Sequence, residues 1–300
     1  MLKIIRKIAQ SNSGSNSPNQ VIIKGNSPKV SSPLIAITIA KSGTHLLYKT
    51  LEEFGLSLSY QVPYAYHQGI QLLNGPIEKS NLRSLYYEVR ENLATIHPGE
   101  NKFAQGHLPF NKTNADLLDS LGFTKLVMLR DPRAIAVSFM FHVLNTEHPL
   151  KSYFLSLPDN DTRLLASIQG VTPTQTGQAN IFLSDVGLRF RTIANWLQLP
   201  NTHEIRFENL IGPRGNGSKT SQITSLEKLA RFLNIPLSPR QLEAIAGRVF
   251  DTTSETFRAG QINGWRKYFK PCHVQAFKKT ANDVLIEFGY EVGSNWPFIA

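Results

Sequence analysis

The sequence predicts an α/β fold, a three-layer architecture in which a parallel sheet carries helices on both faces. Short, branched apolar runs near Leu34, Phe103, Leu126 and Ile205 alternate with stretches of helical periodicity, the order such a sheet requires. The chain has 300 residues and is 41% hydrophobic, enough for one substantial core. Two of the runs end in a basic turn at a helix start, where open α/β sheets hold ligands.

Residues 1–10 form a small basic amphipathic pattern, with Leu2, Ile5 and Ile8 set against Lys3, Arg6 and Lys7, which could touch anionic lipid weakly. Residues 11–20 are rich in Ser, Asn, Gly and Pro and read as a linker. The expectation is a flexible tail over residues 1–32 and one catalytic domain over residues 33–300, with folding starting between Val21 and Pro33.

The run from Leu34 to Ile39, bounded upstream by Pro33, reads as a buried strand, and the stretch from Thr44 to Phe54 as a helix. Lys41-Ser42-Gly43-Thr44 lies between them. The first N–H groups of a helix lack intrahelical acceptors, the helix dipole favours negative charge there, and Lys41 adds a full positive charge, so the expected guest is a phosphate. In the common phosphate loop, G-x-x-x-x-G-K-[ST], the lysine follows the second glycine, whereas Lys41 precedes a single one. That order disfavours an ordinary ATPase or GTPase.

The strand-like run 125–129 ends in Arg130-Asp131-Pro132-Arg133, and helical residues 134–138 follow. Asp131 suits the N-cap and Pro132 the first helical position. Arg130 then stands at the carboxyl end of a strand with a planar fork suited to phosphate. A third basic element, residues 257–266, sets Arg258 beside Gly260 and Gly264, which allow close backbone approach. Three such sites suggest a ligand with more than one phosphate-like group.

Leu226, Leu229, Ala230 and Leu233 mark one structural helix; Val274, Phe277, Ala281, Val284, Leu285 and Phe288 mark a last one that Gly289 stops. Residues 60–98 and 145–180 do not fit the sheet-building pattern, and such segments often build a binding pocket. The glycine-rich loop 212–217 reads as a surface loop or a further anion nest.

These motifs resemble those of the sulfotransferases that use 3'-phosphoadenosine 5'-phosphosulfate (PAPS). Lys41 to Thr44 resembles the family's 5'-phosphosulfate loop, Arg130 to Ser138 its 3'-phosphate motif, and Phe257 to Trp265 its Arg-Lys-Gly…Gly-x-Trp segment. Gly106-His107-Leu108-Pro109 is similar to the Lys-Thr-His-Leu-Pro element that carries the catalytic histidine, and Arg206-Phe207-Glu208-Asn209-Leu210 to Arg-Tyr-Glu-Asp-Leu. The five motifs fall in family order from about Pro33 to the C-terminus. The resemblance implies a P-loop-like sulfotransferase fold and transfer of a sulfuryl group from PAPS to a hydroxyl, or an amine, of a small-molecule acceptor.

It also implies roles. Lys41 would stabilise the leaving oxygen on the 5'-phosphate, while Ser42, Gly43, Thr44 and His45 would supply backbone N–H and hydroxyl contacts. His107 would be the general base. Arg130 and Ser138 would hold the 3'-phosphate, closed from the other side by Arg258 and the Gly260 backbone. Phe207 stands where the family has Tyr, which reduces its part to packing. The family's lysine two residues before the histidine is Gln105 here, with Lys102 as the candidate substitute. Its frequent Thr-Trp pair is replaced by His45-Leu46, leaving Phe250 as the candidate adenine platform. The remaining histidines, His142 and His148 among them, read as structural.

The formal charge of +10 would suit nucleic acid, but the basic residues are spread along the chain and gather at loop–helix junctions, so small anionic ligands explain the charge and no nucleic acid is expected. A nucleotide kinase, the rival enzyme, would need the common phosphate loop and a magnesium-binding carboxylate at a strand end. Cys272 is the only cysteine, and no His/Cys/Asp cluster has ligand spacing, so no metal is expected. No run approaches the roughly 18 apolar residues of a membrane span, and no secretion signal is evident. A cytoplasmic enzyme is expected.

Overall fold

The computed structural model describes residues 30–63, 83–250 and 260–296. The strands are β1 (Leu34–Thr38), β2 (Ser57–Gln61), β3 (Lys102–Gly106), β4 (Thr124–Leu129) and β5 (Thr202–Arg206). Among the described residues they make one sheet in the order β2-β3-β1-β4-β5, and every pairing is parallel. Parallel neighbours need crossovers, and helices supply them.

The helices that matter for the site are α1 (Thr44–Glu53), α2 (Arg83–Ala94), α3 (Lys112–Ser120), α4 (Pro132–Asn145), α5 (Lys151–Ser156), α6 (Asn160–Gln169), α7 (Pro173–Thr176), α8 (Val186–Ala194), α9 (Phe207–Leu210), α10 (Lys219–Phe232), α11 (Pro239–Ala246) and α12 (Pro271–Glu287).

Side chains alternate across a strand, so one run of apolar residues serves two cores. On β1, Ile35 and Ile37 face a core shared with α2, α3, α4, α6, α8 and α12, whereas Leu34 and Ala36 face a second core shared with α1, α9, α10 and α11. This is the three-layer α/β fold expected.

Four expected strands are present at the expected places; the fifth, β2, is the edge strand Ser-Leu-Ser-Tyr-Gln. Its residues alternate between exposed and half-buried, which hid it from a search for continuous apolar runs. Segment 145–180 contains α5, α6 and α7, and α2 lies in segment 60–98. Val30 is buried, and its carbonyl accepts from the Gly99 N–H at 2.8 Å, so packed chain is present three residues ahead of Pro33. The amphipathic residues 1–10, the linker 11–20, His67 and Arg258 lie outside the described residues. Among the described residues no helix is long and apolar enough to cross a membrane.

Candidate active site

The sheet brings the candidate residues to one edge. Lys41 follows β1, His107 follows β3 and Arg130 follows β4, and these three strands are neighbours with β1 in the middle. Phe207 and Glu208 follow β5 on the same edge. Carboxyl ends of parallel strands around a crossover point are where such sheets bind ligands.

The loop after β1 is built for an anion. Lys41 takes a left-handed backbone conformation (φ 73°) and Gly43 a wider positive one (φ 109°). Gly43 is the N-cap of α1 and has no side chain with which to cap it. No N-cap side chain claims the N–H groups of the first turn, an arrangement that suits an anion. Ser42 is fully buried; its N–H donates to the Ile39 carbonyl at 2.9 Å, while its hydroxyl has no hydrogen-bond partner in the structure. A buried hydroxyl without a partner is costly unless a ligand satisfies it, so the residues present fit a phosphate group. His45 is exposed at the first turn.

His107 is held from both sides. The next residue, Leu108, is buried and its carbonyl accepts from the Trp196 indole at 2.8 Å; the Pro109 carbonyl accepts from the Asn114 amide at 2.8 Å. The ring Nδ1 lies 2.8 Å from the Thr38 carbonyl oxygen and 3.0 Å from the Thr38 hydroxyl, which in turn meets the Thr44 hydroxyl at 2.8 Å. A carbonyl can only accept, so Nδ1 donates and Nε2 carries the lone pair of the neutral ring. Burial holds His107 below the ordinary histidine range, the Thr38 hydrogen bond opposes this, and the charges of Lys41 and His45 depress it further. At neutral pH the ring is an uncharged base.

Arg130, almost fully buried, joins three elements. Its guanidinium donates to the Lys41 carbonyl at 3.2 Å and to the Gln261 carbonyl at 3.4 Å, and lies 3.9 Å above the Phe207 ring. Asp131 caps α4 by accepting from the Arg133 N–H at 2.9 Å, with Pro132 at the helix start. Both are where the sequence puts them. Arg133 is spoken for: it is bidentate to Asp131, pairs with Glu291 and stacks on Trp265 and Trp296. Ser138 is buried in the second turn of α4.

Loop 212–217 is a dock rather than a bare surface loop. Gly215 accepts from the Ile262 N–H at 2.9 Å, and the Asn216 amide donates to the Gln261 side chain at 2.6 Å, which holds Gly260 and its neighbours against the site. Phe250 is half-buried against the core that contains Leu46, Leu47 and Phe207.

Lys102 does not stand in for the missing lysine. It begins β3, roughly 17 Å of extended chain before His107, and pairs with Glu100 at 3.3 Å. Lys41 is instead a cation whose charge reaches the histidine.

His142, read as structural from sequence, belongs to the site's electrostatics. Burial lowers it to about 4, and the charges of Lys41, His148 and His107 add to that. Its ring lies 5.9 Å from that of His148, which burial also lowers to about 4. The available signal was spacing: His142 is four residues after Ser138 and so on the same helix face.

Among the described residues no group of three or more His, Cys, Asp or Glu side chains could hold a metal ion. A family model described as the sulfotransferase domain matches residues 31–289. The fold is similar to that of mouse sulfotransferase SULT7A1 complexed with PAP, at 17% identity over 86% of this chain and 84% of that one, with a TM-score of 0.55. It is also similar to retinol dehydratase in complex with androsterone and the inactive cofactor PAP, at 17% identity over 87% of this chain and 82% of that one, with a TM-score of 0.54. No curated protein matches the chain in sequence.

Proposed function

This chain belongs to the sulfotransferase domain family, and from that premise we propose that it transfers a sulfuryl group from PAPS to a hydroxyl of a small-molecule acceptor, with His107 as general base and Lys41 stabilising the leaving phosphate. One observation carries the reading: Lys41, His107 and Arg130 leave three neighbouring strands, Thr38 links His107 to Thr44 of the phosphate loop, and Arg130 donates to the Lys41 carbonyl of the same loop. The PAP in both similar structures supports the choice of nucleotide.

When bound, PAPS supplies an SO3 group on a phosphate leaving group. The residues do the rest. Ser42, Gly43, Thr44 and His45 hold the 5'-phosphate with first-turn N–H groups and hydroxyls. The Lys41 ammonium offsets charge that grows on the bridging oxygen. His107 Nε2 takes the acceptor's proton, while Nδ1 stays fixed on the Thr38 carbonyl and keeps the ring in line. Arg130, Ser138, Arg258 and the Gly260 backbone hold the 3'-phosphate, Phe207 packs beneath Arg130, and Phe250 supplies a surface for adenine. The transferred group carries little charge, so the step needs no metal clamp. The catalytic unit takes in Val30, which packs in the core ahead of the expected start at Pro33. The lone Cys272 supports a reducing compartment such as the cytoplasm.

The test is a thermal-shift comparison of 3'-phosphoadenosine 5'-phosphate, ATP and an oligonucleotide, followed by PAPS turnover with a panel of small alcohols. Stabilisation by the bisphosphate alone and release of that nucleotide in step with acceptor sulfation are expected. Equal stabilisation by ATP would overturn the reading.

A further inference from the structure

Glu208 is a half-buried residue with a buried carboxylate oxygen, Oε2, and the transfer chemistry leaves it unused. Its Oε1 accepts from the N–H of Asp131, the residue next to Arg130 and the cap of α4, at 2.8 Å. Its Oε2 is buried with no hydrogen-bond partner. An ionised carboxylate with one oxygen unsatisfied in such surroundings is costly, and the positive charge of Arg130 offsets part of that cost.

The other charged and titratable groups around it do not help the anion. From the start of α4 come Asp131, whose charge repels, and Arg133, already bound to Asp131 and Glu291. At the end of β5, Arg206 pairs with Glu204. From the chain beyond α12 comes Tyr290, whose hydroxyl is buried without a partner and whose proton is held in place by burial and by the charge of Glu208.

Resting on the reading of Arg130 as a 3'-phosphate ligand, we propose that Glu208 positions Arg130 through the Asp131 backbone and takes up a proton from solvent as the 3'-phosphate docks. The arriving dianion claims the guanidinium's positive field and adds its own repulsion. Protonation at Oε2 removes the conflict, while Oε1 goes on accepting from Asp131. Burial has already raised Glu208 to about 6, so the free protein holds it mostly ionised but close to neutrality. A further rise of about one unit corresponds to uptake of roughly 0.4 proton per nucleotide at pH 7.

The experiment is calorimetry of 3'-phosphoadenosine 5'-phosphate binding at pH 7 in two buffers of different ionisation enthalpy, with the full chain and with Glu208→Gln. AMP serves as the ligand that lacks the 3'-phosphate. Glutamine keeps the acceptor for Asp131 and removes only the ionisation. The full chain should take up roughly 0.4 proton more than the variant with the bisphosphate and the same number with AMP, and its affinity should rise about fivefold more than the variant's between pH 8 and pH 6. A carboxyl-carbon NMR titration of Glu208 in the unmutated protein should show its midpoint move up when the bisphosphate is added. Equal proton uptake by the two proteins, with the bisphosphate still preferred over AMP, would overturn this proposal and leave the nucleotide site standing. Equal affinity for bisphosphate and AMP would overturn both.

Discussion

Replacing Gly43 with alanine probes the point where the phosphate loop, its helix and the Arg130 platform meet. Gly43 has φ 109° and ψ 34°, a conformation that residues with a side chain rarely adopt, and its strain is worth about 1–2 kcal/mol or more. The space is also taken. A β-carbon there would stand 2.7 Å from Phe207 Cδ2 and 2.9 Å from Met128 Cε, far inside the roughly 3.5–4 Å of a comfortable carbon contact. The methionine can yield; the phenylalanine is buried beneath the Arg130 guanidinium and cannot do so cheaply. Overpacking of this kind costs about 1–3 kcal/mol. Gly43→Ala should therefore destabilise by about 2–5 kcal/mol, a fall of roughly 3–8 °C in Tm for a chain of this size. Affinity for 3'-phosphoadenosine 5'-phosphate should weaken with it, because the ring that moves carries the arginine. Urea and thermal unfolding give the stability, and calorimetry the affinity. Phe207→Ala should relieve the collision but not the backbone strain, so the double variant should be less destabilised than the sum of the singles by about 1 kcal/mol or more. Wild-type stability and affinity in Gly43→Ala would rule out both the strain and the collision at this position.

Arg130→Ala should erase most of a preference for the bisphosphate over AMP of about 1.5–3 kcal/mol, and calorimetry with both ligands decides it. His107→Ala should slow single-turnover transfer to ordinary alcohols by about 10²- to 10⁴-fold while changing nucleotide affinity little, with partial recovery on acidic phenols; wild-type rates with aliphatic alcohols would remove it as the base. Because His107 sits below the ordinary histidine range and Lys41 helps keep it there, the acid limb of the pH–rate profile should lie below pH 6.5 and move upward in Lys41→Met. His142 and His148 are depressed to about 4, so the stability they contribute is complete above pH 6.5 and is lost as pH falls toward 4; in His148→Phe the decline of Tm over that window should be shallower.

Much of this was legible in the chain itself. Local signals suffice where the physics is local: the branched run Leu34 to Ile39, the glycine turn with its lysine, Asp131 and Pro132 at a helix start, and Gly289 at a helix end each specify their conformation through near neighbours in sequence. The edge strand β2 was not legible, because half its residues face away from the core and break the apolar run. Nor was the part played by His142, whose neighbours Lys41 and His107 lie on other elements.

The alternating order of strands and helices, the three basic turns and the residues in them follow from the chain alone, since period and capping act over a few residues. Long-range packing placed β1 between β3 and β4, and so brought Lys41, His107 and Arg130 to one edge. It also set which ring nitrogen of His107 carries the lone pair, because Thr38 reaches the ring only through the parallel pairing of two strands. The same holds for the Glu208 carboxyl, which desolvation and the charge of Asp131 raise and the Asp131 N–H and Arg130 lower, the last two residues lying in a turn about 77 residues away in the chain. Proton affinity depends on distances through space, and those exist only once the sheet has formed.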